Sequence, residues 1–103
     1  MKRTIQWATG LFEGEGSINQ DGTRWQLQIG MTDKDVLEDF ANYFDLNING
    51  PYVFKPGSKP MWKVKSNKKS KVRSILLEML PHLGMRRAHK ALDALDDLEF
   101  SKI

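Results

Sequence analysis

Two carboxylates, Glu13 and Glu15, stand among three glycines, Gly10, Gly14 and Gly16, in the run A-T-G-L-F-E-G-E-G-S-I over residues 8–18. Carboxylate oxygens ligate hard divalent cations, and Mg2+ needs only one or two of them from a protein. Gly10 and Gly14 are four apart. On a helix they share a face and leave a bare strip of backbone that another helix can approach closely. Glu15 follows at the helix end, just before a strand-like stretch from Ser17. A carboxylate held there by a tightly packed helix pair is placed to bind a hard cation. The two histidines, His82 and His89, are seven apart, and neither has a second histidine three or four residues away to make a ligand pair. Without cysteine there is neither a disulfide framework nor a thiolate zinc site.

The elements that must position these residues follow from apolar spacing. Ile5, Ala8, Leu11 and Phe12, with Trp7 beside them, predict a helix over residues 4–13 with Thr4 as its N-cap. A short strand over 17–20, an Asp21-Gly22 turn and a strand over 23–31 predict a hairpin. Trp25, Leu27, Ile29 and Met31 alternate onto one face of its second strand, and Arg24, Gln26 and Gln28 onto the other. Asp33 is placed to cap a helix reaching Phe44, with Val36, Leu37, Phe40 and Phe44 as its apolar stripe. After a break at 47–50, strands over 51–55 and 61–65 predict a second hairpin. Lys63 and Lys65 share one face, with Trp62 and Val64 on the other; Tyr52 and Phe54 alternate to one side, which the pattern does not assign, and such rings are more often core than stacking platforms.

A third helix spans 67–80, with Val72, Ile75, Leu76, Met79 and Leu80 inward. The last helix spans 85–100, with Met85, Ala88, Leu92, Leu95 and Leu98 along one side. The order αββαββαα predicts one α+β domain over residues 1–103, in which the hairpins pair into a four-stranded antiparallel sheet. Its exposed face would carry Arg24, Gln26, Gln28, Lys55, Lys63 and Lys65.

Charge is unevenly spread. Residues 1–46 hold four basic and eight acidic side chains, residues 47–77 eight basic and none acidic, and residues 78–103 four and five. An acid-free cationic block in a chain of net charge +3 is a candidate footprint for a phosphate backbone. No apolar run approaches the roughly 20 residues of a membrane span. No apolar signal core follows the basic start, so an intracellular, non-secreted location is expected.

The glycine–glutamate run resembles the signature of the LAGLIDADG homing endonucleases. The glycine at the third of its nine positions, the leucine at the fourth and the final glycine match; Glu13 and Glu15 stand where the family has Asp at the sixth and eighth. The resemblance implies a LAGLIDADG core whose four-stranded antiparallel saddle lies in the DNA major groove. It gives Glu15 the catalytic metal, Mg2+, with Mn2+ or Ca2+ able to substitute for binding, and leaves Glu13 a structural role. It implies a homodimer with the motif helices at the two-fold axis, so Trp7, Gly10, Leu11 and Gly14 are the interface candidates and the target is near-palindromic. A basic residue near the start of the last helix polarises the water network in the family. Arg86 is the match for it here, with Arg87 and Lys90 next. A polar residue that ends the second strand falls at Met31-Thr32.

On such a saddle, Gln can pair bidentately with adenine and Arg with guanine. Asn19, Arg24, Gln26 and Gln28 are then the base readers, with Lys63 and Lys65 in the same groove. Lys68, Lys69, Lys71 and Arg73 fall to DNA phosphates or solvent, and Lys55 and Arg87 are further DNA-binding candidates. The function implied is a site-specific, metal-dependent endonuclease of double-stranded DNA. Two other readings fit the sequence: a non-cleaving nucleic-acid binder or intron RNA maturase on the same scaffold, and a basic α/β domain that meets a protein partner through its acidic last helix.

Overall fold

In the computed structural model, which describes residues 3–100, the chain runs α1 (Ile5–Glu15), β1 (Gly16–Asp21), β2 (Arg24–Met31), α2 (Lys34–Phe44), β3 (Ile48–Tyr52), β4 (Met61–Ser66), α3 (Lys69–Met79), a 3-10 turn (Leu80–His82) and α4 (Met85–Phe100). Residues 1, 2 and 101–103 of the domain expected over the whole chain lie outside the described residues. The expected α+β order αββαββαα is present, and the four strands form one antiparallel sheet in the order β1-β2-β4-β3.

The helices cover one face of the sheet. Ile18, Trp25, Leu27, Ile29 and Val64 point into the core from the strands. They meet Ala8 and Phe12 of α1, Leu37, Phe40, Ala41 and Phe44 of α2, and Val72, Ile75, Leu76 and Met79 of α3. Phe12 stacks on Phe40 with ring centroids 6.4 Å apart, and Phe44 meets Phe40 edge-on at 5.2 Å. Each such side chain contributes roughly 1.5–3 kcal/mol on burial, so the period-2 and period-3.6 patterns of the sequence carry the fold.

Local signals fix the ends of the first two helices. Thr4 caps α1, its hydroxyl accepting the Trp7 N–H at 3.1 Å, an interaction typically worth about 1 kcal/mol. Asp33 occupies the N-cap position of α2 but makes no side-chain cap bond; only its carbonyl accepts, from Leu37 N–H. At the other end Asp45 turns left-handed (φ 55°), and its N–H returns to the carbonyls of Ala41 and Asn42. Tyr43 joins α2 to α3 by donating to Glu78 at 3.3 Å; burial, and then that carboxylate, push its phenol above the ordinary pKa.

Four expectations shift. The first hairpin turns at Gly22-Thr23, one residue later than Asp21-Gly22, because Asp21 still pairs with Arg24 and Gly22 takes the left-handed position (φ 64°). The strand expected at 51–55 is Ile48–Tyr52. Ile48 pairs with Val64 and packs against the core, and Pro51 is tolerated because β3 is an edge strand. Tyr52 and Phe54, expected in the core, are exposed.

The face of α4 is also different. Met85 is 80% and Leu92 49% exposed, whereas Ala91, Ala94 and Leu98 are buried. The alanines let α4 lie close against α3 and β1. That roll brings Asp97 to the indole N–H of Trp25 (2.8 Å) and the amide of Gln20 (3.4 Å).

Candidate active site and nucleic-acid interface

The motif helix runs straight into β1, so Glu15 ends α1 and Gly16 begins the sheet. Gly16 is required by close approach: a Cβ there would fall on the Phe12 ring, which is 1% exposed and cannot yield. Glu13 is half-buried and reaches α4. Its Oε1 accepts the Gly84 N–H at 2.6 Å, and its Oε2 accepts from Arg87 Nη1 at 3.3 Å. The second arm of the same guanidinium donates to the Gly16 carbonyl at 2.8 Å. Gly84 precedes α4, and its carbonyl accepts from Ala88 N–H. The Glu13 carboxylate therefore sits at the N-terminus of α4, where the free N–H groups and the helix dipole favour negative charge. One acid and one arginine thus fasten the end of α1 to the start of α4.

That fastening leaves Glu15 exposed and, among the described residues, without a hydrogen-bond or ion-pair partner. Arg86 is exposed at the start of α4 and lines a 160 Å³ cleft with Ser17, Ile18, Asn19, Arg87 and Lys90. Lys90 follows Arg86 by four residues, on the same helical face. Arg87, a DNA-binding candidate, bonds through its guanidinium to Glu13 and Gly16. Met31 ends β2 as a half-buried side chain against the core, with Thr32 exposed after it. Among the described residues, no three His, Cys, Asp or Glu side chains converge.

The outer face of α1 carries Trp7, Gly10, Leu11 and Gly14 at the i, i+3, i+4, i+7 spacing of a single stripe. Gly10 and Gly14 are exposed, and a Cβ added to either would meet no atom within 4 Å. Packing among the described residues therefore does not account for them. Trp7 and Leu11 are half-buried at the edge of the core. Arg3 lies 4.4 Å over the Trp7 ring and is held by Asp39 at 3.0 Å.

The open face of the sheet has the expected residues in register. Asn19 pairs with Gln26, Ser17 with Gln28, and Gln28 in turn with Lys65; Gly30 and Asn49 flank Lys63. Arg24 stands at the hairpin end of the same face. Side chains already bond along the strands, Asn19 to Ser17 at 3.0 Å and Gln26 to Gln28 at 3.1 Å. Lys55 lies in the β3–β4 loop rather than on a strand, where Ser58 bonds its backbone.

Lys68 and Lys69 line a 440 Å³ groove with Arg24 and Asn67. Lys65, Lys68 and Lys71 line another, of 390 Å³, with Asn47 and Asn49; Lys71 is paired there with Asp45 at 3.9 Å. Sequence reasoning missed the Glu13–Arg87 fastening, whose partners are 74 residues apart. It also missed the Tyr52–Phe54–Lys63 cluster, for which the alternation between Pro51 and Pro56 was the available signal.

No family model and no curated protein sequence matches the chain. Solved structures do. The homing endonuclease I-TnaI aligns with 99% of this chain and 76% of its own at a TM-score of 0.75 and 14% identity. The homing endonuclease I-CvuI, solved with its target in the presence of calcium, aligns with 92% of this chain at a TM-score of 0.72 and 16% identity. The present chain spans 65% of the length of I-CvuI. The LAGLIDADG homing endonuclease I-GzeII, in complex with its DNA target, aligns with 76% of this chain and 28% of its own at a TM-score of 0.54 and 23% identity. With a glycine-faced helix entering the first strand of a sheet ordered β1-β2-β4-β3, the chain has the LAGLIDADG homing-endonuclease fold.

Proposed function

We propose that this protein is a metal-dependent endonuclease that cuts both strands of a near-palindromic DNA site as a homodimer. One observation carries the reading: Glu15 is an exposed carboxylate, unpartnered among the described residues, at the end of a helix whose glycine face is open. The DNA-bound relatives of the same fold support double-stranded DNA as the substrate.

The donor chemistry fits a hard divalent cation. Mg2+ takes one or two carboxylates together with phosphate oxygens and water, so Glu15 from each of two copies, with the substrate, would hold it. When bound, such a cation neutralises charge at the scissile phosphate and makes an attacking water more acidic. The chain's own residues do the rest. Arg86 stabilises the developing negative charge, because a guanidinium presents several N–H donors in a fork that matches phosphate oxygens. Glu13 and Arg87 hold the helix that carries Arg86 against the helix that carries Glu15. Gln26, Gln28 and Arg24 offer donors and acceptors to base edges, while Lys65, Lys68 and Lys69 meet phosphates. Attack by water opens one P–O bond and leaves a phosphate on one strand end and a hydroxyl on the other. A two-fold pair of chains repeats this on the second strand.

Cleavage of a randomised duplex library with and without Mg2+, with the products sequenced, tests the reading. Recurrent magnesium-dependent cuts at one near-palindromic site are expected, and Glu15→Gln should abolish cutting while sparing binding. Cutting by Glu15→Gln at the wild-type rate would remove Glu15 from the chemistry. Retention of duplexes without cuts would favour the non-cleaving or maturase reading, for which the apolar Met31 at the end of β2 is the supporting observation.

A further inference from the structure

The β3–β4 hairpin exposes three consecutive bulky side chains that the folded chain does not use: Tyr52 at 38%, Val53 at 59% and Phe54 at 67%. Lys63, on the open face of the sheet, brings its ammonium to 5.4 Å from the Tyr52 ring centroid and 5.5 Å from that of Phe54. Both rings therefore belong to the nucleic-acid side of the sheet. Lys55 and Lys59 lie on the same loop, and no acid occurs from residue 47 to residue 77.

We propose that this hairpin end is a stacking platform for an unpaired base of the bound nucleic acid, with Lys63 held by the rings to meet the adjoining phosphate. The inference rests on the nucleic-acid-binding part of the function proposed above and adds a second type of contact to it. Exposed apolar side chains clustered on a surface mark a contact, and here the surrounding charge selects the occupant. A polyanion with flat apolar rings satisfies the aromatics and the lysines together, whereas an apolar protein surface would leave three ammonium groups unmatched. In an intact duplex both faces of every base are covered by neighbours. The rings can therefore stack only where a base is unpaired, at a single-stranded flank or a bulge, and such stacking tolerates any base because each has a π face.

Two probes of arbitrary sequence test this: a blunt duplex, and the same duplex with a short single-stranded 3′ flank containing 2-aminopurine. Wild type should bind the flanked probe more tightly and change the 2-aminopurine fluorescence on binding. Phe54→Leu keeps apolar bulk at an exposed position but removes the ring. It should bind the flanked probe about tenfold more weakly and the blunt duplex as wild type does, while Phe54→Trp should retain the preference. Unchanged affinity of Phe54→Leu for the flanked probe would overturn the proposal. So would conversion of a wild-type dimer to monomers by Phe54→Leu in sedimentation, since a second copy would then occupy the platform. If wild type binds the blunt duplex and gains nothing from the flank, only the platform fails; if it binds neither probe, the proposed function fails with it.

Discussion

Replacing Gly10 and Gly14 by alanine should have opposite effects on the chain and on its assembly. In an isolated chain a Cβ at either position meets nothing within 4 Å, so no clash opposes the better helix former. Glycine costs a helix interior about 1 kcal/mol relative to alanine. Gly10 lies mid-helix and should give nearly all of that; Gly14 is next to the last residue of α1 and should give less. The double variant of a monomer should gain between about 1 and 2 kcal/mol, and each kcal/mol raises the melting temperature of a domain this size by about 4–8 °C.

In a two-fold helix pair the same methyls enter the seam from both sides and force the backbones apart. The dimer is then lost together with double-strand cutting. Melting curves over a range of protein concentrations, read with sedimentation equilibrium, separate the cases. The wild-type melting temperature should rise with concentration, as for any folded state stabilised by association. The double variant should sediment as a monomer and melt at one temperature throughout. Concentration-independent melting of the wild type, or a double variant that melts higher and still dimerises and cuts, would refute the argument that the bare strip is an interface.

Two other outcomes follow from contacts within the chain. The Glu13–Arg87 pair, with side chains 31% and 32% exposed, is partly screened by solvent, so a double-mutant cycle of Glu13→Gln and Arg87→Met in urea should give a coupling of about 0.5–1 kcal/mol. Each single variant should also slow single-turnover cutting; strictly additive effects on stability would show that the two residues do not act as a unit. Thr9 is 1% exposed, and its hydroxyl has no hydrogen-bond partner among the described residues. Thr9→Val should therefore stabilise by about 1 kcal/mol, seen as a higher urea midpoint at unchanged slope; a lower midpoint would mean that the hydroxyl is bonded in solution.

Much of this molecule is legible residue by residue. The Thr4 cap, the alternation from Trp25 to Met31 and the stripe of Leu37, Phe40 and Phe44 each report a backbone conformation and a buried side within one element. Those patterns gave the element order and the face on which Gln26, Gln28 and Lys65 stand. The glycine–glutamate run gave the candidate cation ligand, because residue type and helical spacing suffice to describe a carboxylate at a helix end.

Contacts between distant elements were not legible. An alanine carries no amphipathic signal strong enough to outweigh Met85 or Leu92, so the buried side of α4 emerged only when Ala91 and Ala94 lay against their neighbours. Tyr52 and Phe54 resemble core residues by type; at the end of the edge strand β3 and in the loop after it they are left in the open. The sequence by itself determined which residues can ligate, read bases or pack, since these are properties of side-chain type and local period. Only the tertiary structure decided that Arg87 fastens Glu13, 74 residues away in the chain, and that Gly10 and Gly14 face outward, because both depend on which surfaces meet once the other elements have folded.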